Sequence, residues 1–307
     1  MSTVPPPRSH RARRHRRGLL AASSALAVGA VGLWAGPGFG ASKPADPKAT
    51  ALPKPDHVVV VMFENQPFSS VIKSPSAPYI NSLAKQGALL TASSALSHPS
   101  QPNYYQLFSG STQGAKGDDC PKLGTMTAPN LGSGLIAAGR TWGSYNEDWP
   151  SNPTTCKSGK YAVKHNPWFG FKNVPASTAH TFTAFPKDYT KLPAVSFVVP
   201  NLCNDMHGIK SGCKKSVATG DSWLKSRLDG YAQWAKTHNS VLVVTFDEGK
   251  GSDQRITTIF EGGPVKAGAT TATKYNHYDL LRTIEDMYGV KPSGQAASGK
   301  DITGIWK

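Results

Sequence analysis

Three short apolar runs pass directly into side chains able to bind a metal ion, and they limit the fold more than any other feature. Residues 57–65 read HVVVVMFEN, residues 194–201 read AVSFVVPN, and residues 240–248 read SVLVVTFDE. Near-continuous Val and Phe runs suit strands covered on both faces, as in a parallel sheet flanked by helices. In such sheets ligands bind beyond the carboxyl ends of the strands. Glu64, Asn65, Asp247 and Glu248 then share one rim, with Asp205 and His207 just past the run that ends at Asn201. Carboxylates gathered on a rim repel one another unless a cation or a shared proton compensates them. A hydrolytic metal site is the leading reading.

Between the runs, helix-like and strand-like segments alternate, which predicts a doubly wound α/β domain with a mostly parallel sheet and helices on both faces. Helices are expected at 77–86 closed by Gly87, at 103–108 before Gly110, at 131–138 ending at Gly139, at 222–237 with Asp221 as its cap, and at 278–288 closed by Gly289. Further strands are expected at 89–95, 141–145 and 255–260, and residues 146–193 read as a long irregular region of the kind that often serves function.

The first 41 residues read as an export signal: six arginines and no acid in 1–17, an apolar Ala/Gly-rich stretch over 18–35, then small residues. Arg16-Arg17-Gly18-Leu19-Leu20 also resembles a twin-arginine signal. General secretory export and a retained membrane anchor are the alternatives. Residues 42–55 are rich in Pro, Ala and Lys and read as a disordered spacer, which leaves 56–307 as the functional domain. Losing the leader takes the net charge from +15 to +9. The remaining lysines stand singly without interleaved aromatics, so they suit anionic substrates or a membrane surface, and no nucleic-acid partner is expected. Cys120, Cys156, Cys203 and Cys213 form an even set in an exported chain, which favours two disulfides. Of three pairings, the sequence-local one joins Cys120 to Cys156 and Cys203 to Cys213.

Residues 97–110 read SHPSQPNYYQLFSG. A hydroxyl where a loop enters a helix meets free N–H groups and a dipole that favour an anion. Ser100 stands there, with Asn103 one turn on as a donor to a phosphoryl oxygen. Such a serine attacks phosphorus when a neighbouring metal activates it; as a bland alternative it only caps the helix. After Asp247-Glu248 comes Gly249-Lys250, and Lys250 is placed to offset carboxylate charge or to contact substrate phosphate.

FEN at 63–65, HPSQPNY at 98–104, LFSG at 107–110, VPNLCNDMH at 199–207, FDE at 246–248 and NHYDLLRTIED at 276–286 together resemble the bacterial phosphoesterase family. That family holds secreted acid phosphatases and phospholipases C within the alkaline phosphatase superfamily. The resemblance implies Glu64, Asn65, Asp247 and Glu248 as metal or phosphate ligands, His277 as the late metal histidine, and Asp205 with His207 as an Asp-x-His element. It puts Ser100 where related phosphodiesterases carry a nucleophilic Thr. It also implies His165, in KHNPWFGF, as a donor of a proton to the leaving group. The departure at Lys250 leaves metal number open, and Ca, Mg, Mn, Zn and Fe all suit the ligand types. The implied activity is hydrolysis of phosphate monoesters by a secreted acid phosphatase or phosphoinositide phosphatase. The alternatives are a phospholipase C or phosphodiesterase, and a phosphate-binding protein without catalysis.

Overall fold

The computed structural model describes residues 51–307 apart from Ser211; the expected signal and the start of the spacer lie outside the described residues. Eight strands form one sheet: β1 (His57–Phe63), β2 (Ala88–Leu90), β3 (Trp142–Asn146), β4 (Ala179–Thr181), β5 (Val195–Val199), β6 (Ser240–Phe246), β7 (Thr258–Glu261) and β8 (Ala269–Thr271). Their order is β8-β2-β7-β6-β1-β5-β3-β4. β1 pairs in parallel with β5 and β6, β3 with β4 and β5, and β2 with β8. β7 alone runs against both of its neighbours. The expected fold class holds.

Besides a single turn at Phe68–Val71, the α-helices of the described residues are α1 (Pro78–Gln86), α2 (Ser100–Ser109), α3 (Leu131–Ala137), α4 (Val217–Ala235) and α5 (His277–Met287). They divide between the faces of the sheet because strand side chains alternate. Val58, Val60 and Met62 of β1 join the apolar cluster that holds Tyr105 and Phe108 of α2, Leu135 of α3 and Leu281 of α5. Val59, Val61 and Phe63 join the opposite cluster, with Ile80 of α1 and Leu224 and Leu228 of α4. This is why the first and third runs show no polar alternation. Burying each such side chain contributes about 1.5–3 kcal/mol.

The differences from expectation have local causes. α4 begins at Val217, capped by the Ser216 hydroxyl, which accepts from Thr219 N–H at 3.1 Å. Asp221, expected as that cap, is one turn inside the helix. Its buried carboxylate accepts from Tyr79 and Ile80 N–H at 3.1 and 2.7 Å and so caps α1, whose preceding residue, Ala77, has no side-chain acceptor. The expected strand 89–95 breaks after Leu90, and Ser93–Ser94 pairs instead with Tyr275–Asn276. Within 146–193, mostly short 3-10 turns, β4 adds an edge strand. Of the expected spacer, Leu52 packs on the core and the Lys54 carbonyl accepts from Asn239 at 2.8 Å. Both disulfides form as the sequence-local pairing expects, Cys120–Cys156 and Cys203–Cys213.

Candidate active site

β1 and β6 run in register, Phe63 against Phe246, so both chains leave the sheet at one level. Asp247 N–H donates to the Phe63 carbonyl, and Glu64 N–H donates to the Asp205 carbonyl at 2.8 Å. The exits of β1, β5 and β6 therefore converge, although three residues separate Asn201 from Asp205. Asn65 takes a left-handed conformation (φ 54°), which Asn tolerates better than most residues. This bend aims its backbone N–H at Asp247 Oδ1, 2.8 Å away, and its amide nitrogen at Glu64 Oε2 and Ser100 Oγ, 2.9 and 3.2 Å away.

Ser100 opens α2, and its hydroxyl donates to Glu64 Oε2 at 2.8 Å. The rest of α2's start is held by two side chains. Asp118 Oδ1 accepts from Gln101 N–H at 3.0 Å. Asn103 Oδ1 accepts from Leu96 and Ser97 N–H, while its nitrogen donates to the Ser97 carbonyl at 2.7 Å. Asn103 is fully buried and spends its amide on the loop, so here it shapes the approach to Ser100 and offers no free donor to a phosphate.

Three buried acids divide their oxygens in one way. Glu64 Oε2 serves Ser100 and Asn65, Asp205 Oδ1 accepts from His207 N–H, and Asp247 Oδ1 accepts from Asn65. Glu64 Oε1, Asp205 Oδ2, Asp247 Oδ2 and also His165 Nε2 are buried without a hydrogen-bond partner among the described residues. His165 Nε2 lies 3.1 Å from Glu64 Oε1, and its Nδ1 lies 3.3 Å from Asp205 Oδ2. Glu64, His165 and Asp205 each offer an atom within 4.8 Å of the others, a compact donor set for a cation. Burial raises the Asp205 and Asp247 carboxyls well above the ordinary range, and the charge of Glu64 adds to this. A cation relieves both effects, so the residues present fit a divalent metal.

His165 stacks on Tyr104 at 4.9 Å between ring centroids. Burial drives its pKa well below the usual value, with Lys164 and His207 adding to the shift. Its two ring nitrogens face Glu64 and Asp205, an arrangement that suits a cation ligand as well as the proton-donor role expected of it. His277, the first residue of α5, holds the Asp247 carbonyl through Nε2 at 2.7 Å, which leaves Nδ1 unprotonated in the neutral ring. Burial lowers its pKa to about 4 against the opposing bond to Asp247.

Of the expected ligands, Glu64 and Asp205 belong to this donor set, and Asn65, His207, Asp247, Glu248 and His277 are not among its members. Glu248 pairs with His98 Nδ1 at 2.5 Å. His207 Nδ1–H donates to the Gly208 carbonyl, and its ring lies 6.1 Å from that of His165. Lys250 is exposed and uses its backbone to bridge Asp253. The lysines that reach the site are others. Lys215 Nζ donates to the Asn65 carbonyl at 2.5 Å, and Lys164 Nζ to Asp118 at 2.8 Å. Burial alone lowers the Lys164 ammonium, but Glu64 and Asp118 more than offset it. Tyr104 was signalled by its place one helical turn after Ser100, and Lys164 by its adjacency to His165; nothing in the sequence points to Lys215.

The phosphoesterase family profile matches residues 70–291. A phosphatidylinositol-3-phosphatase of Mycobacterium tuberculosis is 47% identical over 262 residues, 84% of this chain and 85% of that protein. A phosphate-repressible acid phosphatase of Penicillium chrysogenum is 28% identical over 83% of this chain, which spans 66% of that longer protein. A solved Vibrio parahaemolyticus protein of the alkaline phosphatase superfamily shares the fold, with TM-score 0.56 and 13% identity over 82% of this chain and 71% of that one. With the sheet, the rim of acids and these matches in hand, the chain belongs to the phosphoesterase family and is a hydrolase of phosphoric ester bonds.

Proposed function

We propose that the protein is an exported phosphate-monoester hydrolase with Ser100 as its nucleophile. The observation that carries this reading is the Ser100 hydroxyl at the start of α2, 2.8 Å from a buried carboxylate that can take its proton. Ser100 Oγ gives its proton to Glu64 Oε2 and bonds to phosphorus, the ester P–O bond breaks, and the alcohol departs with a proton from solvent. Water then attacks the phosphoserine and returns Ser100 to its hydroxyl form with release of phosphate. The Ser100 N–H at the start of α2 and the Asn65 amide stabilise charge on the phosphoryl oxygens. Glu64, His165, Asp205 and Asp247 would hold a divalent cation, which polarises the phosphoryl group and favours the serine alkoxide when bound. The printed names of the relatives, acid phosphatases and a phosphoinositide phosphatase, support monoesters as substrates. Two disulfides support a destination outside the reducing cytosol.

Initial rates on p-nitrophenyl phosphate, bis-p-nitrophenyl phosphate and phosphatidylcholine separate monoesterase, diesterase and lipase activity, and the monoester is expected to lead. Ser100→Ala should lower turnover by roughly a thousandfold or more, since it removes the nucleophile itself. Acid quenching of wild type should trap a phosphoserine that the variant lacks. Unchanged turnover in Ser100→Ala sinks the assignment.

A further inference from the structure

A cavity of about 490 Å³ lies against the Cys120–Cys156 bridge and the loop that Cys203–Cys213 closes. Its ionisable lining is Asp118, Lys157, Lys164, His207 and Lys210. Three of its lining residues are bonded to, or next in sequence to, residues of the active site. Asp118 holds Gln101 N–H, next to Ser100; Lys164 precedes His165; and His207 N–H bonds Asp205 Oδ1. The one acid is already compensated, since Asp118 Oδ2 accepts from Lys164. Lys157 and Lys210 are exposed and make no ion pair among the described residues. Neither contacts Ser100 or the three buried acids, so the phosphate being transferred has no need of them. On the far side of the same loop, Lys214 and Lys215 join Lys210 around a second hollow of about 670 Å³, so the positive charge continues.

We propose that the cavity is a subsite for a second phosphate, carried on the alcohol that leaves phosphorus when Ser100 attacks, with Lys157 and Lys210 as its selective cations. The proposal rests on the monoesterase reading above. The preferred substrate class is then a bisphosphorylated polyol, whether free or as a lipid headgroup whose second phosphate is a diester. Paired lysines facing an otherwise uncompensated cavity favour a multiply charged ligand and discriminate against one whose leaving group is neutral.

The test compares kcat/KM on p-nitrophenyl phosphate, on a soluble inositol bisphosphate, and on the corresponding phosphoinositide in phosphatidylcholine vesicles. A Lys157→Ala/Lys210→Ala double variant should lose about tenfold on both bisphosphates and stay within about twofold on p-nitrophenyl phosphate. Lys157→Arg/Lys210→Arg should keep the preference. Equal losses on all three substrates, or no loss on the bisphosphates, overturns the subsite. A loss confined to vesicles also overturns it, because general attraction to the membrane then explains the charge. Wild-type hydrolysis of p-nitrophenyl phosphate without any advantage for the soluble bisphosphate overturns the subsite alone. Failure of wild type on every substrate overturns the hydrolase reading and the subsite with it.

Discussion

The amide of Asn103 closes the loop before Ser100, taking N–H groups from Leu96 and Ser97 and donating to the Ser97 carbonyl. Sequence placed Asn103 one turn from the serine and so suggested a phosphate contact; only the folded loop shows where its amide goes. Removing it takes the partner from half-buried backbone groups, which costs on the order of 1 kcal/mol. Asn103→Ala is therefore expected to lower the melting temperature and also kcat, because Ser100 loses its fixed approach. Asn103→Asp keeps the acceptor and should fall between the two. Unaltered thermal stability in Asn103→Ala would refute this role. Asn65 is the counterpart case: its motif and its position after a buried strand were readable, and its left-handed backbone explains how one residue reaches Glu64, Ser100 and Asp247.

At the scale of elements, the ends of α2 and α5 are tied together by the segment at Ser293. Gly110 closes α2 with φ 66°, and a Cβ there would lie 2.0 Å from the Ser293 carbonyl oxygen. Ser293 N–H in turn donates to both oxygens of Glu285 of α5, at 3.0 and 3.1 Å. Burial pushes the Glu285 carboxyl up to about 7, against the lowering effect of the Ser293 bonds. Its folded value thus lies above that of the unfolded chain, so its contribution is full below the ordinary glutamate range and is lost as pH rises through about 7. Wild type should lose stability over that window, on the order of 2 kcal/mol, and Glu285→Gln should flatten the loss. Urea unfolding at intervals from pH 5 to 8 checks this; parallel pH profiles for the two proteins would refute it. Helix existence was legible here from apolar spacing and closing glycines. Helix starts were not, because capping is a matter of which side chain arrives: Ser216 caps its own α4, whereas Asp221 crosses to α1.

For the whole molecule, the acids that meet at the rim come from three exits of the sheet, after β1, β5 and β6. A cation held there joins these segments only in the folded state, so it should stabilise the fold by mass action, about 2.7 kcal/mol at a hundredfold excess over its dissociation constant. Chelation of the protein is expected to lower the melting temperature and abolish p-nitrophenyl phosphate hydrolysis, and re-added divalent cation should restore both. Full activity in protein verified as metal-free would sink the metal reading. His165→Ala should weaken the metal response without removing Ser100; an unchanged metal titration in that variant would place the cation elsewhere.

The apolar runs determined the parallel sheet and put Glu64, Asn65, Asp247 and Glu248 on one rim, because a strand buried on both faces has no other way to satisfy its side chains. The serine at the loop-to-helix junction was legible too, although α2 opens at Ser100, three residues before the expected start. Which rim residues meet was decided by tertiary structure. A long irregular region brings His165 between Glu64 and Asp205, while His98 draws Glu248 aside and His207 turns toward the lysine-lined cavity. These contacts join residues distant in sequence across loops with no periodicity, and only packing and the pairing of buried charge select among the partners.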